Sequence, residues 1–135
     1  MAWAPLSYGA FSIDEKSWTV EYIQRYIIKK LKADDSAPLA PWLQEFLDEM
    51  EFNVTIDAFK YIFDEAMLDT EAKKQWALAF IAQCQQEIAQ MDTSAFLAYI
   101  GETELSDKGF QMIRNALANY LRMMRGLAPD ARLLN

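Results

Sequence analysis

Seven side chains have the type and spacing to do chemistry together: Glu45, Asp48, Glu49, Asp57, Tyr61, Asp64 and Glu65. A group of carboxylates can bind a hard cation, form a general acid–base pair, or hold a basic protein surface. The commonest forms of the first two demand residues that are missing. Di-iron bundles pair glutamates with a Glu-x-x-His repeat on facing helices, and this chain has no histidine. No D-x-D-x-D-G loop for calcium occurs, and a site for magnesium made only of carboxylates has no further sequence support. Histidine-dependent acid–base chemistry and the Ser-His-Asp and Cys-His arrangements are excluded. The four glycines form neither G-x-x-x-x-G-K nor G-x-G-x-x-G. A glycosidase pair would want a sugar platform, and none is visible. The lone cysteine, Cys84, has no histidine to activate it and reads as a packing thiol. The expectation is a protein that binds, with no enzymatic activity, no cofactor and no metal.

Charge distribution points to what it binds. Residues Ala33 to Glu71 hold eleven acidic residues and a single base, Lys60, a local net of −10. The segments before and after are slightly positive, and the whole chain carries −7. One strongly acidic region repels nucleic acid and membrane surfaces and attracts basic partners. Glu45, Asp48, Glu49 and Glu51 crowd one predicted helix with no lysine among them. Like charges three and four residues apart destabilise a helix by a few tenths of a kcal/mol each. Tyr61, among Asp57, Asp64 and Glu65, suits a contact with an arginine-rich surface. Arg114, Arg122 and Arg125 are too sparse for nucleic-acid recognition.

The elements that must carry these residues read as helices. With 53% hydrophobic residues in 135, the chain can build a core without disulfides or metal. Apolar residues recur at helical spacing, and no useful segment alternates strictly, so strands are not expected. Met1 to Phe11 reads as an irregular arm carrying Trp3, Leu6, Tyr8 and Phe11. The first helix starts at Ser12, where Ser12-Ile13-Asp14-Glu15 has capping-box spacing. It runs through Tyr22 and Tyr26 to a basic last turn at Lys29, Lys30 and Lys32. Asp34 to Pro38 is a turn. The second helix, from Leu39 or Pro41 to Phe52, has the stripe Trp42, Leu43, Phe46, Leu47 and Met50. The third starts at Asn53 or Thr55, with Ile56, Phe59, Ile62, Phe63, Ala66 and Met67 inward. Asp69 or Thr70 caps the fourth, which runs to about Met91. Asp92 or Thr93 opens the fifth, stopped by Gly101, and Ser106 opens the sixth, ended by Gly126. Leu127 to Asn135 is a tail. Trp18, Trp42, Phe46, Phe59, Trp76 and Phe80 are expected in the core, and Tyr22, Tyr26, Tyr61 and Tyr99 at its edge. The fold class is therefore all-α, a single-domain antiparallel bundle of about six helices.

The start of the chain lacks a basic region followed by an apolar run, and no stretch approaches the ~20 apolar residues that span a bilayer. A cytoplasmic protein is expected. Its composition has the character of stoichiometric inhibitors such as bacterial immunity proteins, though no family motif is present. The expected function is a small acidic protein-binding module. It would block a basic toxin or nuclease domain by laying the seven residues over its cleft. An adaptor joining two proteins, or a nucleic-acid mimic of the phage anti-defence kind, are the alternatives.

Overall fold

The computed structural model describes residues 3–33, 38–58 and 60–135. Residues 34–37 of the expected turn at Asp34 to Pro38, and the inward placement of Phe59, lie outside the described residues. Helix accounts for 65% of the structure. In chain order the elements are strands β1 (Trp3–Tyr8) and β2 (Phe11–Lys16), then helices α1 (Ser17–Ala33), α2 (Pro41–Thr55), α3 (Glu71–Ala89), α4 (Thr93–Ile100) and α5 (Asp107–Met124). Single 3-10 turns occupy Glu65–Met67 and Ala131–Leu133.

Two expectations are corrected. The first is the all-α class. From Trp3 onward the N-terminal segment is an antiparallel hairpin, with Trp3 opposite Lys16 and Tyr8 opposite Phe11. Gly9 opens its two-residue turn at a φ of 60°, a conformation that suits glycine at the first central position of a hairpin turn. Ala4 and Leu6 of β1, with Ile13 and Glu15 of β2, face the core. Pro5 lies opposite Asp14. Counting from the turn, this is a non-hydrogen-bonded pair, so the missing N–H removes no rung. Helix α1 therefore starts at Ser17 instead of Ser12. The residues that mimic a capping box are β2, and the box's glutamate, Glu15, is completely buried. Asn135 Nδ2 donates to both its oxygens at 3.1 and 3.4 Å and to the Met112 carbonyl at 3.0 Å.

The second correction removes the predicted third helix, leaving five α-helices among the described residues. Helix α2 ends at the β-branched run Val54-Thr55-Ile56, which is poor helix-forming sequence. Thr55 Oγ1 donates back to the Glu51 carbonyl. Asp57 then takes a left-handed φ of 54°. Ala58 N donates to Asn53 O at 2.9 Å and Asp57 N to Val54 O at 3.3 Å, the two bonds of a Schellman stop. Gly126 closes α5 in the same way, with Leu127 N on Arg122 O. Beyond Asp57 the chain is non-helical as far as Asp64 among the described residues, and it inserts Ile62 and Phe63, 0% and 3% exposed, into the core.

The remaining helices match the sequence closely. Thr70, Asp92 and Ser106 cap α3, α4 and α5 through their side-chain oxygens, and Gly101 ends α4 at a φ of 76°. Helix α1 touches α2, α4, α5 and both strands, so its inner residues Val20, Ile23, Tyr26 and Ile27 are the centre of the core. Phe46 stacks on Phe63 and Trp76 on Phe80, and Trp42 meets Trp76 edge-on. The Arg114 guanidinium lies over Phe110 and donates to the Met91 carbonyl, tying α5 to the end of α3. The C-terminal tail docks on α5, where Asn119 and Asp130 exchange two hydrogen bonds. Among the described residues no helix is long and apolar enough to cross a membrane.

Burial raises the Glu15 carboxyl above its ordinary range, and the Asn135 bond offsets this only in part. A raised carboxyl contributes stability that is present below the ordinary glutamate pKa and lost as pH rises through the raised one. Glu15→Gln should therefore raise the urea midpoint at neutral pH. The gain should shrink below the ordinary glutamate range. A variant less stable than wild type at neutral pH would contradict this.

Candidate functional site

The seven residues singled out by sequence do not form one surface. They divide at the stop of α2. Glu45, Asp48 and Glu49 project outward from α2 and are exposed. The residues facing the other way, Leu43, Phe46, Leu47, Met50 and Asn53, are the buried stripe. Gln44 Nε2 donates to Asp48 Oδ1 at 2.9 Å. Glu49 Oε1 accepts from the Tyr61 hydroxyl at 2.6 Å, and Asn53 Nδ2 donates to the same hydroxyl at 3.3 Å. Tyr61 is thus half-buried against α2. Burial, and then its bond to the Glu49 carboxylate, push the phenol up to about 12. It remains a neutral hydrogen-bond donor at physiological pH.

The other three carboxylates hold the fold. Lys60 Nζ lies 2.6 Å from Asp57 Oδ1 and 3.2 Å from Glu21 Oε1 on α1, with its side chain only 11% exposed. The sole base of the acidic stretch therefore clamps that stretch to α1. The clamp is extended by Gln24 Nε2, which donates to the Tyr61 carbonyl at 2.8 Å. Asp64 Oδ1 accepts from Ala66 N and starts the 3-10 turn. Glu65 Oε1 accepts from Gly9 N at 3.0 Å, fixing the hairpin turn to the segment after α2.

Three further observations bear on chemistry. Cys84 is buried, and burial pushes its thiol up to about 12, so it behaves as a packing group. Among the described residues, no three cysteine, aspartate or glutamate side chains gather in a way that would hold a metal ion. Glu87 joins α3 to α1 by accepting from the Tyr26 hydroxyl at 2.8 Å and pairing with Lys30 at 2.8 Å. Burial would raise the Glu87 carboxyl, but the bonds from Lys30 and Tyr26 win and lower it. Tyr26 was expected at the edge of the core and is 2% exposed.

Sequence reasoning missed two residues of the α2 face. Phe52 and Ile56 are 60% and 49% exposed. Phe52 follows Glu45 by seven residues, which is two turns, so spacing alone places it on the outward side. Ile56 was assigned inward because the helix was expected to restart there.

Replacing Lys60 with Met should lower stability by about 1–3 kcal/mol, the range for losing charged hydrogen bonds such as that to Glu21. The Asp57 carboxyl is held low by its bond to Lys60. Its share is present above the ordinary aspartate pKa and lost as pH falls through the lowered one. The gap between wild type and variant in urea unfolding should therefore narrow in acid. An equal gap at neutral and acid pH would show that Lys60 acts through packing alone.

No protein-family model, no curated protein and no solved structure matches the chain.

Proposed function

We propose that the protein is a binding module that presents the outward face of α2 to a basic protein surface. The observation that carries this is the orientation of Glu45, Asp48 and Glu49, which are exposed on the side of α2 opposite its buried stripe. Among the described residues Glu45 has no hydrogen bond or ion pair, whereas Asp57, Asp64 and Glu65 are used internally. The partner face is accordingly narrower than the seven residues expected from sequence: Glu45, Asp48 and Glu49, with Tyr61 at their flank. Like-charge crowding on one helix face weakens the helix and speeds encounter with an oppositely charged partner.

In its more specific form the proposal is inhibition by occlusion, of the kind immunity proteins exert on a toxin or nuclease domain. A rigid helix face with a negative field suits a basic cleft shaped for nucleic acid. The module then acts by stoichiometric binding and needs no catalytic group or cofactor of its own.

The test begins with capture from the native host on immobilised wild type and on a Glu45→Lys, Asp48→Lys double variant. A basic protein retained by wild type and lost by the variant is the expected result. Association with that protein should slow on reversal, and its salt dependence should flatten. The double variant should fold, because exposed changes move stability by under about 0.5 kcal/mol each. If the captured protein is an enzyme, its activity should fall to zero at one equivalent of the module. Equal capture by both forms would remove the α2 face from consideration, and full activity at saturation would replace inhibition with an adaptor role.

A further inference from the structure

Resting on the binding-module reading, we propose that Phe52 and Ile56 are the apolar anchor of the acidic face. The segment it receives is a basic amphipathic helix of another protein. Five large hydrophobic residues are exposed among the described residues. Trp3, Leu127 and Leu134 belong to the hairpin and the C-terminal tail, while Phe52 and Ile56 lie one turn apart at the end of α2. Positions 45, 48, 49, 52 and 56 share one side of a helix by their spacing. The acidic face thus has an apolar end, the mix of anchor and charged rim that marks protein contact sites. The core does not need these two side chains, since α2 already buries Leu43, Phe46, Leu47 and Met50. Immediately after Ile56, the left-handed Asp57 turns the chain away, so α2 itself provides nothing to cover them.

Charge decides the occupant. A second copy of this chain would set Glu45, Asp48 and Glu49 against the same three carboxylates, which opposes self-association through this face. A complementary partner carries Lys or Arg opposite Glu45, Asp48 and Glu49, and apolar side chains opposite Phe52 and Ile56. Shape decides that the segment is helical. The rows 45–49 and 48–52–56 form ridges along α2, and such ridges pack into the grooves of another helix. From Glu45 to Ile56 the face is about 16 Å long, which three turns of a partner helix match.

Two synthetic peptides of about 18 residues test this. One is an amphipathic Lys/Leu helix. The other has every Leu replaced by Gln, so that the charge is equal. Affinities are measured at about 150 mM salt, where weak surface attraction is largely screened. Wild type should prefer the Leu peptide by at least about ten-fold, or 1.4 kcal/mol. Phe52→Ala with Ile56→Ser should abolish that preference, and Phe52→Gln alone should reduce it. Circular dichroism checks that each variant keeps its helix content. Equal binding of the two peptides to wild type would overturn the anchor, as would a preference that survives the double substitution. Glu45→Lys with Asp48→Lys should weaken both peptides. If it weakens neither while the Leu preference still depends on Phe52, the anchor stands and the acidic reading of the proposed function falls.

Discussion

Helix α2 has to stop at Ile56, and the left-handed backbone of Asp57 is what stops it. Aspartate is one of the few residues with a side chain that adopts this conformation at modest cost. Had the helix run on, Ile62 and Phe63 would point 100° apart on a rod leading away from the core. Instead, the chain that follows brings both inside. Phe63 then stacks on Phe46 of α2 at a ring separation of 4.9 Å, and its N–H donates to the buried hydroxyl of Tyr120 on α5. One turn thereby joins α2, α5 and the segment between α2 and α3.

That segment has little regular structure of its own, so other groups must satisfy its polar atoms and hold its place. The acidic residues do much of this. Asp57 and Glu21 grip Lys60 from two sides, Glu65 takes the N–H of Gly9, and Asp64 caps a 3-10 turn. These bonds link the segment to α1 and to the hairpin. Hairpin and segment thus support each other, because the first central N–H of the turn is not part of the ladder and Glu65 satisfies it. At the far end of the hairpin, buried Glu15 takes its donor from Asn135. The sheet is therefore tied at one end to the middle of the chain and at the other to its C-terminal residue.

Helices α3, α4 and α5 were legible almost to the residue because each carries a side-chain cap and α4 and α5 each have a glycine near the stop, at Gly101 and Gly126. The errors have equally specific causes. In Trp3–Lys16 the strand alternation is masked by Pro5 and by Glu15, a charged residue on the inner face. Ser12 to Glu15 also imitates a helix start. After α2 the stop signal is an aspartate in place of glycine, and Ile56, Ile62, Phe63 and Met67 keep a helix-like spacing while serving a non-helical segment. Of the candidate site, the three acidic residues of α2 were readable from a single helix face. The separation of Asp57, Asp64 and Glu65 from them was not, because it depends on partners as distant in sequence as Gly9 and Glu21.

The same acidic stretch thus does two physically different things. Past Ile56, the carboxylates of Asp57, Asp64 and Glu65 tie the segment to Lys60, to its own 3-10 turn and to the hairpin. On α2 the carboxylates lie three and four residues apart without a lysine between them, an arrangement that costs a few tenths of a kcal/mol per pair. Folding would be served as well or better by alternating signs on that face, as on ordinary solvated helices. It would also be served by a polar residue in place of Phe52, whose exposed ring contributes little to the core. Charge crowding and an exposed aromatic are each tolerable alone. Together, on one face of one helix, they form a surface that a complementary partner can relieve of both burdens at once. On the proposed reading, this is why the outward side of α2 keeps its charges and its exposed ring at the surface while the segment after it is clamped to α1 and the hairpin.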